Sequence, residues 1–476
     1  MTSKGVVPHI INGVNRYPEK TFDVHSPATE QLLHKCGGAS VADAAEAVDV
    51  AAEALKSWRR TSPQHRRDIC LKAAVIMESR RDELSQYMQD ETGATSSFSK
   101  ECVDRAIDLI KDIGGRIAAL AGSFPPIANP KRSGLILREP YGVVLSISPW
   151  NSPYILGARS VACPIAAGNT VVFKASESCP KTSWALVDVF HQAGLPNGVL
   201  NMIVNHPADA ALIVSSLISN AHVKKINYTG NTNVGRIVAK QAGEHLKPVV
   251  LELGGKAPAI VWEDADLDLA AEQCAMGSFL HGGQICMSTE RIIVHHAVRD
   301  TFRDKFAAAV SSFLPSSGEA PVLVSAAAAQ RNKQLVNNAT KRGATVLHGD
   351  VDATEISRTR MRPIVVDGVT SDMDIYSTES FGPTVSLIDV QSEEEAIRIA
   401  NDTEYGLSAA VFTKDLRRGL RFAEELETGA VHINRMSVHD ETALPHGGVK
   451  SSGYGRFNSS VGLEEWTRTK NITYDR

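Results

Sequence analysis

The sequence predicts an α/β protein with two domains, each built on a mainly parallel sheet covered by helices. Short, almost entirely apolar stretches alternate with helical stretches from residue 141 onwards, and a second such series begins at residue 259. This alternation is typical of parallel strands buried on both faces. The 476 residues suffice for two or three domains, and 43% hydrophobic with 22% charged residues is typical of a globular protein.

The N-terminal part predicts helices and then an arm. Amphipathic patterns predict helices over residues 41–60, 64–92 and 100–120, and Gly93 is a natural C-cap for the second. The proline-rich segment 125–130 and the extended residues 135–139 follow. They predict an arm that leaves the domain.

Two series of strands and helices come next. The first predicts strands over residues 142–147, 170–173, 199–204, 225–228 and 249–253, and helices over residues 155–167, 181–193, 208–216 and 232–242. The second predicts strands over residues 259–262, 291–294, 345–347, 385–390 and 409–412, and helices over residues 267–280, 298–313 and 393–400. Apolar alternation in residues 464–474 predicts a terminal edge strand. Because parallel sheets bind ligands at the carboxyl ends of their strands, the residues after each strand are the functional candidates.

Charge and cysteine content argue against several function classes. A net charge of −4 gives no reason to expect nucleic acid or an anionic membrane as a partner. The seven cysteines are scattered without a CxxC pair, so neither a disulfide framework nor a metal site is expected, and a reducing compartment is. No stretch is typical of a signal peptide, a membrane span or a C-terminal targeting signal, so we expect a cytoplasmic protein.

The loop around Cys286 is the leading candidate for a catalytic element. The cysteine follows Gly282, Gly283 and Gln284, between a predicted helix and a predicted strand. A thiol there has a backbone that a substrate can approach and an N–H to offer an oxyanion. A free surface cysteine without function is the alternative, and local spacing does not decide between the two.

Two strand ends carry residues suited to a dinucleotide, although GxGxxG and P-loop motifs are absent. Residues 229–235, with Gly230 and Gly235, follow one strand and open a helix whose N-terminus can bind a pyrophosphate. Lys174 and Glu177 follow another strand and can contact an adenosine ribose, where the acid disfavours a 2′-phosphate. An ordinary turn and a solvated charged turn are the alternatives.

Two more strand ends carry groups suited to acyl chemistry. Asn151 can donate a hydrogen bond to an oxyanion, with an Asx turn as the alternative. Glu252 ends an apolar strand, so burial is expected to raise its pKa towards that of a general base. A structural glutamate is the alternative, but Gly254 and Gly255 suggest close backbone approach to a ligand.

In chain order these motifs resemble the NAD(P)-dependent aldehyde dehydrogenase superfamily over essentially the whole chain. The separation of Glu252 and Cys286, 286 − 252 = 34, is the one the family has. Any single motif is weak, but eight in order are specific. They are Pro149-Trp150-Asn151, Lys174 with Glu177, Thr229-Gly230 through Gly235, Leu251-Glu252-Leu253-Gly254-Gly255-Lys256, Gly283-Gln284-Ile285-Cys286, Glu379-Ser380-Phe381-Gly382-Pro383, and the segments 401–408 and 445–456.

The resemblance implies domains and site residues. It implies a Rossmann-type NAD-binding domain, a second α/β catalytic domain and a small β oligomerisation arm, at residues 1–121 with 142–252, 253–444, and 122–141 with 457–476. Cys286 matches the nucleophile, Glu252 the general base that activates water, and Asn151 the oxyanion donor. The implied cofactor is NAD, with NADP possible, and its matching positions are Trp150, Lys174, Glu177, Thr229, Gly230, Asn231, Gly235, Glu379 and Phe381. A homodimer or homotetramer is expected.

Within the superfamily, residues 284–291 and His439-Asp440-Glu441 most resemble the branch that oxidises aromatic aldehydes such as salicylaldehyde and vanillin. Arg159 is expected to point into the entrance and favour a phenolate or other anionic substituent, with a solvated helix arginine as the alternative. The implied pocket residues are Tyr154, Ile155, Arg159, Ile285, Met287 and His446. Two residues depart from the family pattern: Asn231 replaces a serine, and His446 replaces a phenylalanine and leaves the pocket's shape open.

Three other functions are weighed against this one. An enzyme passing the acyl group to coenzyme A would gain nothing from the water-activating Glu252. An aldehyde dehydrogenase of a biosynthetic pathway with a non-aromatic substrate stays open. A binding protein without catalysis is disfavoured because Cys286, Glu252 and Asn151 are all intact.

Overall fold

In the described part of the chain, the β structure comprises two large sheets, a small three-stranded sheet and a separate two-stranded ribbon. The structure is a computed structural model that describes residues 5–313 and 318–476; residues 1–4, where the predicted NAD-binding domain begins, lie outside the described residues. The strands are β1 (Val6–Val7), β2 (His9–Ile11), β3 (Val14–Arg16), β4 (Thr21–His25), β5 (Leu32–Gly37), β6 (Arg132–Pro140), β7 (Val143–Ile147), β8 (Thr170–Lys174), β9 (Leu200–Ile203), β10 (Val223–Thr229), β11 (Val249–Glu252), β12 (Ala257–Val261), β13 (Thr289–His295), β14 (Thr345–His348), β15 (Ile364–Asp367), β16 (Thr384–Val390), β17 (Ala409–Phe412), β18 (Val431–Ile433), β19 (Gly453–Tyr454) and β20 (Thr467–Asp475).

The helices connect and cover these strands. They are α1 (Val41–Trp58), α2 (Pro63–Ser79), α3 (Arg81–Thr92), α4 (Ser96–Arg116), α5 (Pro153–Ala166), α6 (Pro180–Gln192), α7 (Ala210–Ser219), α8 (Thr232–Glu244), α9 (Leu267–Phe279), α10 (Arg299–Phe313), α11 (Ala326–Lys341), α12 (Asp374–Ser377), α13 (Glu393–Asn401), α14 (Leu416–Glu425) and α15 (Ser459–Glu464). A short polar side chain accepts a backbone N–H at the start of many of them, which stabilises the first turn. These caps include Ser40, Ser62, Thr95, Asn231, Asp266, Ser325, Ser392 and Asp415.

The first sheet has the strand order β19-β11-β10-β7-β8-β9-β2-β3, and its five central strands run parallel. Every residue of β7 and β8 is buried. Alternate strand residues pack with α5 and α6 on one face and with α1, α7 and α8 on the other. Coverage of both faces explains why these strands are almost entirely apolar.

The second sheet has the order β14-β15-β16-β13-β12-β17-β18, in which only the β14–β15 pair is antiparallel. Helices α9 and α10 pack on one face, and α11, α13 and α14 on the other. The two sheets confirm the predicted α/β fold class. The domain boundaries stay a prediction, and β19, which comes from residues assigned to neither the predicted catalytic domain nor the arm, pairs with β11.

The ribbon pairs β6 with β20 over nine antiparallel residue pairs, from Thr467 opposite Pro140 to Asp475 opposite Arg132. The strand predicted over residues 464–474 therefore starts later than expected, because α15 occupies residues 459–464 and Trp466 is buried. Both strands of the ribbon come from the segments predicted to form the arm.

The helix predicted over residues 64–92 is wrong as a single element. It is two helices, since Arg80 between them leaves the helical conformation at φ −107° and ψ 13°. The Arg80 guanidinium pairs with Glu83, 2.9 Å away, and with Asp188, 2.8 Å away. Through these two ion pairs, the Arg80 side chain at the break connects α3 to α6.

Candidate active site

The turn between α9 and β13 presents Cys286. Three consecutive residues, His281, Gly282 and Gly283, have left-handed φ values of 52°, 64° and 73°. Gln284 is fully buried and fixes the turn, because its side-chain amide donates to the carbonyls of His281 and Val322 and its side-chain carbonyl accepts from the Val324 N–H. The sequence motif of glycines and glutamine thus specifies the backbone path that leads to the cysteine.

Cys286, Glu252 and Asn151 meet in one place. The Cys286 thiol donates to Glu252 Oε1 at 2.9 Å, and Asn151 Nδ2 donates to the carbonyl of Gln284, two residues before the cysteine, at 3.0 Å. Glu252 stands at the carboxyl end of β11, and Asn151 lies between β7 and α5. All other cysteines are buried, so Cys286 is the only one of the seven with partial exposure.

The expectation that burial raises the pKa of Glu252 is wrong. Burial acts in that direction, but His446, Arg159 and the Cys286 thiol together hold the Glu252 pKa below its usual value. Burial and then the Glu252 carboxylate raise the pKa of the Cys286 thiol well above its usual value. The pair therefore rests as a neutral thiol hydrogen-bonded to a carboxylate.

Beyond Glu252, charged and polar groups extend the network. His446 Nε2 lies 3.8 Å from Glu252 Oε1, and its Nδ1 lies 3.7 Å from Asp440 Oδ1. Arg159 forms an ion pair with Asp440, and its guanidinium lies over the Phe457 ring at 5.3 Å. Arg159 is only 2% exposed, so it is not a solvated helix arginine.

One cavity opens from Cys286 on the side of α4 and α5. Of the predicted pocket residues, Ile155, Arg159, Ile285, Met287 and His446 line it. Tyr154 does not: it is fully buried, and its hydroxyl donates to the Leu84 carbonyl at 2.7 Å. Prediction of Tyr154 as a wall residue is wrong because neighbouring residues of a helix point in directions about 100° apart. Residues that we had not predicted also line the cavity, among them Phe98, Leu280, Val438 and Asp440.

A second cavity reaches Cys286 from the opposite side. Its lining includes the predicted cofactor residues Trp150, Thr229, Gly230, Asn231, Glu379 and Phe381, together with Arg331, which we had not predicted. Trp150 and Phe381 make an edge-to-face contact with centroids 5.9 Å apart. Phe381 has a φ of 47°, a strained value for a large side chain.

Two features of this second cavity fit a dinucleotide. It includes the N-terminus of α8, where Asn231 accepts the N–H groups of Asn233 and Val234 and backbone amides favour anions. Glu379 lies in the wall, where burial raises its pKa to about 7, and its Oε1 accepts the Gly255 N–H at 2.9 Å. A carboxyl in such a position can accept hydrogen bonds from ribose hydroxyls.

The other predicted cofactor residues lie outside this lining. Lys174, at the end of β8, pairs with Glu177 Oε1 at 2.7 Å, and Asn205, an unpredicted partner, donates to the same oxygen at 2.7 Å. Gly235 lies in α8, where a Cβ would approach a methyl of Leu253 to 2.5 Å. Close packing of α8 against Leu253, the residue after β11, therefore explains the glycine at position 235.

The glycines after Glu252 approach protein groups. A Cβ on Gly254 would lie 2.5 Å from Glu379 Oε2, and a Cβ on Gly255 would lie 2.2 Å from the Cys286 carbonyl oxygen. The close approach expected at these positions is therefore to protein atoms and is explained without a ligand. The contact of Gly255 with the Cys286 carbonyl brings the end of β11, which carries Glu252, next to the turn that carries Cys286.

Residues 5–313 and 318–476 contain no group of three or more His, Cys, Asp or Glu side chains arranged to hold a metal ion. Over the same ranges, no helix combines the length and apolar character needed to cross a bilayer.

Comparison with known proteins gives a consistent result. A family model described as "Aldehyde dehydrogenase family" matches residues 14–472. Vanillin dehydrogenase from a Pseudomonas species is 42% identical over 475 residues, covering 98% of this chain and 97% of that protein. Succinate-semialdehyde dehydrogenase 1 of Schizosaccharomyces pombe, named for NADP(+), is 36% identical over 460 residues, covering 95% and 92%. The crystal structure of a salicylaldehyde dehydrogenase from Pseudomonas putida G7 complexed with salicylaldehyde superposes with a TM-score of 0.96 at 36% identity, covering 99% and 98%.

Proposed function

The chain belongs to the aldehyde dehydrogenase family, and from this we propose that it oxidises aromatic aldehydes to carboxylic acids with NAD(P)+. The contact between Cys286 and Glu252, with a cavity on each side, is the observation that carries the proposal. Similarity to vanillin and salicylaldehyde dehydrogenases supports the aromatic substrate class. Apolar residues such as Phe98, Leu280 and Val438 give the substrate-side cavity walls suited to a ring.

Cys286 is the proposed nucleophile. As its sulfur attacks the aldehyde carbon, the thiol proton passes to Glu252 Oε1, which already accepts it in a hydrogen bond. The developing oxyanion takes hydrogen bonds from the Cys286 backbone N–H and from Asn151 Nδ2, whose second N–H is free of the Gln284 carbonyl. A bound nicotinamide would supply the acceptor for the hydride that leaves the Cys286-bound carbon as the thioester forms.

Glu252 is the proposed base for the second half of the reaction. After releasing the thiol proton, it takes a proton from water, and the resulting hydroxide attacks the thioester carbon and expels the Cys286 thiolate. Glu252 Oε2 supports this role because it is buried and has no hydrogen-bond partner within the described residues. The net change is aldehyde, water and NAD(P)+ to acid, NAD(P)H and a proton.

The cofactor residues are proposed as follows. Trp150, Thr229, Gly230, Asn231, Glu379 and Phe381 hold the nicotinamide, its ribose and the pyrophosphate, and Lys174 with Glu177 holds the adenosine ribose. The Glu177 carboxylate supports a preference for NAD, since it would repel a 2′-phosphate. Gly235 contributes through helix packing.

Location and assembly also stay proposals. We propose a cytoplasmic homodimer or homotetramer. Seven unpaired cysteines support a reducing compartment, and the exposed β6–β20 ribbon supports assembly.

A single assay tests the proposed activity. Purified protein is mixed with NAD+ and benzaldehyde or salicylaldehyde, and NADH is followed with and without coenzyme A. We expect NADH formation without coenzyme A. NADH only in its presence would replace the proposal with the acyl-transferring alternative, and no NADH with any aldehyde would leave a binding protein.

A further inference from the structure

The substrate-side cavity carries more negative than positive groups. Its lining includes five carboxylates against two arginines, which leaves three negative charges in excess when histidines are neutral. One arginine, Arg105, pairs with Glu101 at 2.9 Å. The other, Arg159, acts with His446 to hold the pKa of Glu252 below its usual value. The five carboxylates are Glu101, Asp108, Glu252, Asp440 and Glu441.

The charge of Arg159 is already matched inside the protein. Asp440 Oδ2 accepts from its guanidinium, and Asp440 Oδ1 accepts from Asn458 Nδ2 at 2.7 Å. Burial would raise the Asp440 pKa, but Arg159 and then His446 hold it below its usual value, so Asp440 is ionised at neutral pH. Arg159 is 2% exposed and the Asp440 side chain 21%, so solvent screens this pair less than it would a pair on the surface.

We infer that Asp440 is a specificity-determining residue: by neutralising Arg159 inside the cavity, it restricts the site to aldehydes without a carboxylate. A carboxylate entering this cavity would meet Asp440 and Glu252 with no unmatched cation, and like-charge contacts of this kind are strongly unfavourable. A neutral ring, with or without a phenolic hydroxyl, meets no such repulsion. The inference rests on the proposed function and revises the expectation that Arg159 attracts anionic substituents.

The pairing of Asp440 with Arg159 distinguishes two substrate classes named among the relatives of this chain. Succinate semialdehyde, the substrate in the name of the Schizosaccharomyces pombe relative, carries a carboxylate. The vanillin and salicylaldehyde of the other relatives' names carry a phenol instead. Asp440 therefore predicts which of these two substrate classes the chain accepts.

The test compares two aldehydes that differ in charge but hardly in shape. 4-Nitrobenzaldehyde and 4-carboxybenzaldehyde have nearly isosteric substituents, of which the ionised carboxylate withdraws electrons much less than the nitro group. This difference in intrinsic reactivity is the same for every variant, so it cancels when the ratios of two variants are compared. For the wild type we expect kcat/KM to be at least about 100-fold higher for the nitro compound. This ratio needs no variant to fold, and a ratio near one would overturn the inference.

Asp440→Asn then exposes the charge of Arg159. We expect the ratio to fall at least about tenfold, mainly because KM for 4-carboxybenzaldehyde decreases. Asn458 Oδ1 is buried without a partner in the described ranges, so a turned Asn458 amide can accept hydrogen bonds from the N–H groups of the introduced side chain. A gain of activity towards an anionic substrate is not expected from a merely structural defect.

Two further variants show whether the effect runs through Arg159. Adding Arg159→Met to Asp440→Asn removes the cation that Asp440→Asn exposes, and should return the ratio to within about threefold of the wild-type value. Glu441→Gln removes the same charge from a half-exposed position, where solvent screens it, and should change the ratio less than about threefold. An unchanged ratio in Asp440→Asn, or an equal effect of Glu441→Gln, would refute the inference. Absence of activity with 4-nitrobenzaldehyde and benzaldehyde would instead count against the proposed function.

Discussion

Glu252 is placed to handle two different protons with one carboxylate. Its Oε1 accepts from the Cys286 thiol, while its Oε2 is left without a partner within the described residues. His446 and Arg159 keep it ionised despite its burial, so it is ready to act as a base at neutral pH. The role of His446, which stands where the family has a phenylalanine, is therefore partly electrostatic.

Replacing Glu252 should stop the second half of the reaction. Because the glutamine of Glu252→Gln can take a proton neither from the Cys286 thiol nor from water, we expect a burst of one NADH per active site that is slower than in the wild type. Turnover after the burst should be reduced by about 10²–10⁴. Stopped-flow fluorescence of NADH measures both phases. Glu263→Gln, which changes a half-exposed carboxylate outside both cavity linings, is the matched control. Steady turnover near the wild-type rate in Glu252→Gln would remove Glu252 from the base role.

Asn151 acts on the oxyanion and on the cysteine turn through one amide. Asn151→Ala should lower kcat by about 10²–10³ if the amide behaves like other oxyanion donors. Since Asn151 also bonds the Gln284 carbonyl, the rate of Cys286 alkylation by iodoacetamide reports whether the turn has moved. A wild-type kcat, or a loss matched by equally slow alkylation, would contradict the oxyanion role.

Among the secondary-structure elements, strands buried on both faces and helices with a clear apolar stripe were predicted, and a helix without such a stripe was not. β7 and β8 were predictable because all their residues are buried and nearly all are apolar. α11 was not, because its sequence is polar and even its buried face includes Asn332, which hydrogen-bonds the Ser380 carbonyl. As a result Arg331, which lines the cofactor-side cavity from this helix, was missed.

The same limit applies to the site. Cys286, Glu252 and Asn151 could be singled out because each stands at or just after the end of a predicted helix or strand. Asp440 is 281 residues from Arg159, and no local pattern indicates that the two pair. Tyr154 could not be separated from Ile155 without the orientation of α5, which only tertiary packing defines.

His281, in the turn that leads to Cys286, should make the free energy of unfolding depend on pH. Burial lowers the pKa of His281 to about 4, from 6.5, and its ring stacks on Phe98 with centroids 4.5 Å apart. The unfolded chain therefore binds a proton below about pH 6.5 while the folded one does not. The contribution of His281 is fully present above pH 6.5 and is lost as the pH falls to about 4, a change of about 3 kcal/mol.

His281→Asn removes this titration and keeps a side chain that tolerates the left-handed backbone. We expect the decrease in Tm between pH 7.5 and pH 5 to be smaller in the variant than in the wild type, although the lost stacking lowers Tm at both. Differential scanning calorimetry measures it, with the exposed His222→Asn as the control. An equal decrease in wild type and His281→Asn would contradict the assignment.

At the scale of the whole molecule, the β6–β20 ribbon is exposed on its own. One face presents the apolar side chains of Leu137, Ile472 and Tyr474 to solvent, at 37%, 39% and 46% exposure, with Lys470 opposite Leu137 on the same face. Unpaired strand edges next to exposed apolar groups favour pairing with another chain. The ribbon is therefore the surface on which we propose that subunits assemble.

A charge on the apolar face of the ribbon should weaken this assembly. In Ile472→Lys the ammonium would be placed among Leu135, Leu137 and Tyr474, where burial against a second subunit is costly, so we expect a smaller particle by size-exclusion chromatography with light scattering. Asn471→Lys adds the same charge to the opposite face, because successive strand residues point to opposite sides. A mass unchanged in Ile472→Lys, or equally reduced in both variants, would show that subunits do not assemble through this face. Dissociation in Ile472→Lys alone would identify the interface and the face of the ribbon that forms it.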